Sequence, residues 1–202
     1  MGRNAEQNRL LREAQYAAIL ACALDLFVSR GFAATRVADI AGAAGISPGL
    51  LYHYFPGKDD ILVALLQNAL PRLEDAAREL EALSAPAADK IRAALRLSIQ
   101  GMVENSENGR YHLLLVQLAA SDVLPDAARA LIDAHAQTPY RTMQRIFAQG
   151  QREGSVRAGD PRQLAMLFWA LVKGLAIHHA IHGAALGEAR AETIAPLFLI
   201  QP

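Results

Sequence analysis

Apolar residues recur at intervals of three and four along almost all of this 202-residue chain, and sustained alternation is missing. That period lines one face of an α-helix, whereas a half-buried strand needs a period of two. Alanine, leucine and arginine dominate and runs of β-branched residues are absent, so an all-α fold is predicted, with no strand. At 52% hydrophobic residues the chain can build a core of ordinary size. Lys plus Arg and Asp plus Glu balance at 20 each, which removes the easy argument that a basic chain binds nucleic acid. Any such claim must rest on local arrangement. The longest apolar run is Leu164 to Val172, ended by Lys173, against the ~20 residues of a bilayer span. No membrane partner is expected. The first residues lack a secretory pattern, so the expected location is cytoplasmic. Cys22 is single, has no internal disulfide partner, and reads as a small buried filler.

Helix punctuation sets the order of elements. A first helix is predicted from about Leu10 to Ser29, ended by Gly31. Thr35 reads as the N-cap of a short helix over Val37 to Ala43, and Gly45 supplies a turn. Ser47-Pro48 opens another short helix ending near Phe55. Two short helices joined at a glycine form a helix-turn-helix candidate. A fourth helix follows Pro56-Gly57-Lys58, with Asp59 and Asp60 in its first turn. Ser84 to Asp89 reads as a linker. Longer helices are expected at Lys90 to Glu104, Tyr111 to Ala120, Asp126 to Gln151 with a break at Thr138-Pro139, and Pro161 to His182. A last one runs from about Glu188 to Ile200.

The stretch from Thr35 to Lys58 carries the function. Ile40, Ile46, Leu51 and Phe55 can face the first helix, with Ala41 and Ala44 keeping the crossing close. Pro48, Gly49, Leu50, Tyr52 and His53 then fall on the open side of a segment slim enough for a DNA major groove about 12 Å wide. Thr35, Ser47, Tyr52 and Lys58 are candidates for holding phosphate oxygens, and Gly49, Leu50 and His53 for touching base edges. Arg36 adds a phosphate or base contact. Leu50 offers only apolar contact, for instance to a thymine methyl, so shape and phosphate contacts are expected to matter.

At these residues the chain resembles the TetR family of transcriptional repressors. The resemblance rests on Thr35, Ile40-Ala41, Ala44-Gly45-Ile46-Ser47, Leu51-Tyr52-His53-Tyr54-Phe55 and Lys58, spaced without insertion. It implies a three-helix helix-turn-helix DNA-binding domain at residues 1–58 and a helical effector-binding and dimerisation domain at 59–202. The implied protein is a homodimer joined through its C-terminal helices, bound to a palindromic double-stranded operator and released by a small-molecule effector of unknown identity. A dimeric ligand-binding or adaptor protein with a vestigial reading head is the alternative.

Beyond the reading head, Leu164 to Ile177 is apolar nearly all round, as suits a helix facing both a core and a partner chain. Tyr111, His112, Leu115, Phe147, Phe168 and Trp169 are the candidates for a ligand cavity, although helical spacing also fits them to a plain core. His178, His179 and His182 form a histidine cluster with no neighbouring carboxylate or cysteine, so no metal and no cofactor is expected. Without a nucleophile elbow, a phosphate-cradling glycine loop or a paired metal motif, no catalytic residue is expected and the chain does not read as an enzyme.

Overall fold

The computed structural model describes residues 2–104, 106–119, 121, 123–182 and 191–200. Among them are α1 (Gly2–Arg30), α2 (Val37–Ala43), α3 (Pro48–Tyr52), α4 (Lys58–Ala82), α5 (Ala87–Val103), α6 (Glu107–Ala119), α7 (Asp126–His135), α8 (Gln137–Arg152), α9 (Pro161–His182) and α10 (Ala191–Ile194). A 3-10 turn, Ala195–Leu197, follows α10. The extended pairing among these residues is a single antiparallel bridge between Val156 and Leu199. The chain forms two compact units, one from residues 1–68 and 117–131, the other from 69–116 and 132–202.

In the first unit Gly31, at φ +86°, ends α1, with its amide donating to Phe27 O at 3.0 Å. Only a residue without a Cβ adopts that backbone at little cost. Ile19, Leu24 and Phe27 of α1, Ile40 and Ala41 of α2, Leu51 and Phe55, and Ile61, Leu62, Leu65 and Leu66 at the start of α4 are all buried. Gln117 adds a tie from its side-chain amide to Val28 O at 3.0 Å.

The second unit buries a cluster from α5, α8, α9 and the C-terminal turn, including Ile91, Leu95, Met143, Phe147, Phe168, Val172 and Phe198. Polar staples clamp its rim. Glu81 pairs with Arg145, whose Nη2 lies 2.6 Å from Oε2. The buried Glu74 carboxylate accepts from the Thr138 hydroxyl at 2.6 Å and from Arg78 at 2.8 Å. By length and composition α9 would pass for a bilayer span, with a mean hydropathy of 1.6 in its best stretch. Its buried row Leu164, Ala165, Phe168, Val172 and Ala176 ties it to this core instead.

Several boundaries differ from expectation, each for a local reason. The N-cap of α2 is Arg36 rather than Thr35, because the Asp39 carboxylate reaches back to accept from the Arg36 amide at 2.9 Å. The third helix stops at Tyr52, not near Phe55, once Leu51 and Phe55 have turned inward. α5 starts at Ala87 inside the expected linker, its first amide received by the Glu153 carboxylate at 2.8 Å. The break before α8 falls at Ala136, because Pro139 sits in the first turn, where its missing N–H costs no hydrogen bond. Of the expected last helix only Ala191–Ile194 forms, and its expected start at Glu188 lies outside the described residues. Cys22 is half-buried rather than sealed, and what burial it has raises its thiol pKa.

Gly150 sits where α8 meets the start of α5, and an added Cβ would collide with Val156 and Ala87. Gly150→Ala should therefore lower stability by about 1–3 kcal/mol in urea unfolding. Gly42→Ala, in open space within α2, should raise it by up to about 1 kcal/mol.

Candidate DNA interface and ligand-binding residues

The exposed face of α3 is built from behind. Ser47 caps the helix, its Oγ accepting from the Leu50 amide at 3.1 Å, and Pro48 occupies the first turn. Gly45, at φ +67°, makes the turn that aims the helix. With Leu51 and Phe55 buried, Ser47, Pro48, Gly49, Leu50, Tyr52 and His53 all face solvent. Leu50 is 42% and Tyr52 54% exposed, much for large side chains that could have packed inward. Arg36 is exposed beside them.

Two of the proposed phosphate holders lie elsewhere. Thr35 is buried, and its hydroxyl donates to Gly31 O at 2.8 Å, with Leu26 O at 3.3 Å. It closes the end of α1 rather than facing outward, its hydroxyl held to the backbone where the helix stops. Lys58 is half-buried. Its ammonium donates to Phe32 O at 2.8 Å and Ala33 O at 3.3 Å, and lies 4.4 Å from the Phe32 ring centroid. It latches the start of α4 to the 31–34 turn.

The candidate ligand residues also divide. Phe147 and Phe168 are fully buried and pack on Phe198, at 5.4 and 5.8 Å between ring centroids, as part of the core. Tyr111 is buried, and Leu115 half-buried. His112 and Trp169 come together with two residues the sequence reading missed. The rings of His112 and Tyr140 each lie 6.1 Å from Trp169, and the Lys173 ammonium donates to the Tyr140 hydroxyl at 2.9 Å. The Trp169 indole N–H is spent on Pro139 O at 3.2 Å. His112 Nε2 is sealed from solvent without a hydrogen-bond partner among the described residues. Lys173 had a visible signal, since it is the one charge that interrupts the apolar stretch of α9. An open groove of about 740 Å³ along α8 and α9, lined by Tyr140, Arg141, Gln144, Arg162 and Met166 among others, contains none of the six expected residues. His178 and His182 meet edge to face at 4.6 Å, and no group of three or more potential metal ligands occurs among the described residues.

Comparison with known proteins decides what this arrangement belongs to. Residues 19–65 match the family described as bacterial regulatory proteins, tetR family. Residues 86–199 match the BetI-type transcriptional repressor, C-terminal family. The chain belongs to the TetR family. It is 31% identical to the transcriptional regulator BetI of Pseudomonas paraeruginosa over 172 residues, 85% of this chain and 84% of that protein. It is 29% identical to the transcriptional activator FasR of Mycolicibacterium smegmatis over 109 residues, 54% of this chain and only 50% of that protein. The fold matches a putative regulator from Saccharomonospora viridis, solved with choline, at TM-score 0.72 and 23% identity, covering 94% of this chain and all of that one. This TetR-family chain is thus a transcription regulator with a helix-turn-helix at its N-terminus, which fits the absence of catalytic signatures in its sequence.

The polar groups of the second unit have uneven electrostatics. The Thr138 hydroxyl first, aided by His135 and Arg78, holds the Glu74 carboxyl below the usual range against the cost of burial. The Arg145 guanidinium does the same for Glu81. Burial, and secondarily the charge of Lys173, pushes the His112 imidazole down from 6.5 to about 4. Its ring is neutral at pH 7. Because the unfolded chain takes up this proton first, stability should fall as pH drops from about 6.5 towards 4, by up to about 3 kcal/mol. Urea midpoints against pH should show that slope, and His112→Asn should flatten it in this window. The loss from Glu74 and Glu81 should persist in the variant below about pH 4.5.

Proposed function

We propose that this protein is a homodimeric repressor that binds a palindromic operator through the α3 surfaces of its two protomers and leaves it when a small-molecule effector binds. The observation that carries the reading is the row Ser47 to His53, turned outward on a helix whose inner face is locked. Leu50 and Gly49 would meet base edges, His53 would read them, and Tyr52, Ser47 and Arg36 would hold phosphates. Residues 1–58 would hold the reading head, and 59–202 the effector site and dimer contacts. A regulator of this kind acts where the chromosome is, in the cytoplasm.

The exposed side of α9 supports the dimer. Leu167, Ala170, Gly174, Ile177 and Ile181 follow a spacing of three and four, all exposed. Small residues at 170 and 174 allow a second helix to come close, and large ones at either end supply buried area. Two heads about 34 Å apart then read successive major grooves. The Saccharomonospora viridis neighbour in complex with choline supports a small-molecule effector, and the BetI-type match over residues 86–199 supports the second half of the chain as its place.

Fluorescence anisotropy on the DNA upstream of the protein's own gene should show sequence-selective affinity that falls steeply with salt. Arg36→Ala should weaken every sequence alike and flatten the salt dependence, whereas His53→Ala should alter preference by about 1–3 kcal/mol at one base pair per half-site. Binding indifferent to sequence and salt would refute the reading. The double variant Leu167→Glu, Ile177→Glu should sediment as a monomer and lose at least about tenfold in operator affinity. A dimer surviving that change would move the interface elsewhere.

A further inference from the structure

The cluster of Tyr140, His112, Trp169 and Lys173 is chemically unfinished. The Lys173 ammonium is half-buried, and among the described residues no carboxylate lies within ion-pair distance of it. Its hydrogen bond is to the Tyr140 hydroxyl, which accepts at 2.9 Å and so keeps its own proton to donate. His112 Nε2 is buried and unpartnered. A partly desolvated cation without a counter-ion is costly unless another group completes it. Open space reaches the cluster at Tyr140 through the groove of about 740 Å³, where Arg141 and Arg162 outnumber Asp160.

We infer that the effector is a small organic carboxylate, held by the Lys173 ammonium and the Tyr140 hydroxyl where Tyr140 borders the groove. This rests on the reading of the protein as an effector-released regulator and specifies the chemistry of that effector. One cation and one hydroxyl donor match a single negative charge spread over two oxygens. A phosphate dianion would call for further cations. Three aromatic rings alone would suit a quaternary ammonium, but Lys173 already stands 5.5 Å from the Tyr140 ring and would repel one. The apolar body of the acid would extend along the groove toward Met166, with the Trp169 ring 6.1 Å from that of Tyr140.

Trp169 is the only tryptophan in the chain, so its emission reports this site in the full-length protein. Titration with benzoate and hexanoate should give a saturable change, at concentrations at least about tenfold lower than benzyl alcohol, hexanol or choline require. Lys173→Met should erase that preference and Lys173→Arg should keep it. The same carboxylates should release operator DNA from the wild type. The inference falls if choline or the alcohols bind as well as the acids, or if neither acid saturates by about 10 mM. It also falls if Lys173→Met binds the acids unchanged, or if bound acid leaves DNA affinity as it was. Operator binding with nothing added judges the regulator reading separately. Release by choline alone would keep that reading and overturn the carboxylate.

Discussion

A helix of five residues has no stability of its own, because nucleating one turn consumes more conformational entropy than its few hydrogen bonds return. α3 exists because Leu51 and Phe55 are buried against α1 and α2 and because Ser47 and Pro48 close its start. Everything the exposed surface of α3 can do depends on that one-sided burial. Once the inner face is used, the outer face is free to carry exposed leucine and tyrosine side chains that contribute nothing to the core. The backing is completed by Thr35 and Lys58, which tie the end of α1 and the start of α4 to the turn that follows α1.

The second unit solves a different problem. Its core is apolar and made of long helices, yet its rim is fastened by charge-assisted hydrogen bonds at Glu74, Glu81 and Glu153. Each acid reaches a partner roughly 60 residues away in sequence, so these bonds hold particular helix registers as well as adding stability. The same packing leaves a second, unsatisfied polar set around Trp169.

How much could be read from residue order varies with the range of the interaction. The helix-turn-helix was legible because its determinants are local: Gly31 and Gly45 at positive φ, the Ser47-Pro48 start, the inward spacing of Leu51 and Phe55. Thr35 and Lys58 turn to backbone carbonyls within the first unit, since a hydroxyl and an ammonium serve a phosphate or a nearby carbonyl equally well. Phe147 and Phe168 show the same ambiguity for aromatic residues, which line a cavity or fill a core at identical helical spacing. The meeting of Tyr140 with Lys173 depends on how α8 and α9 pack side by side, and no local pattern encodes it.

Residue order by itself determined the all-helical class, the position of the short reading helix and the family, because periodicity, caps and turn glycines act within a few residues of one another. Tertiary structure alone decided which polar groups remain available. A side chain's hydrogen bonds are claimed by whatever carbonyl, carboxylate or ring the fold brings near, so Thr35 and Lys58 bond backbone carbonyls inside the first unit while Lys173 meets only the Tyr140 hydroxyl among the described residues.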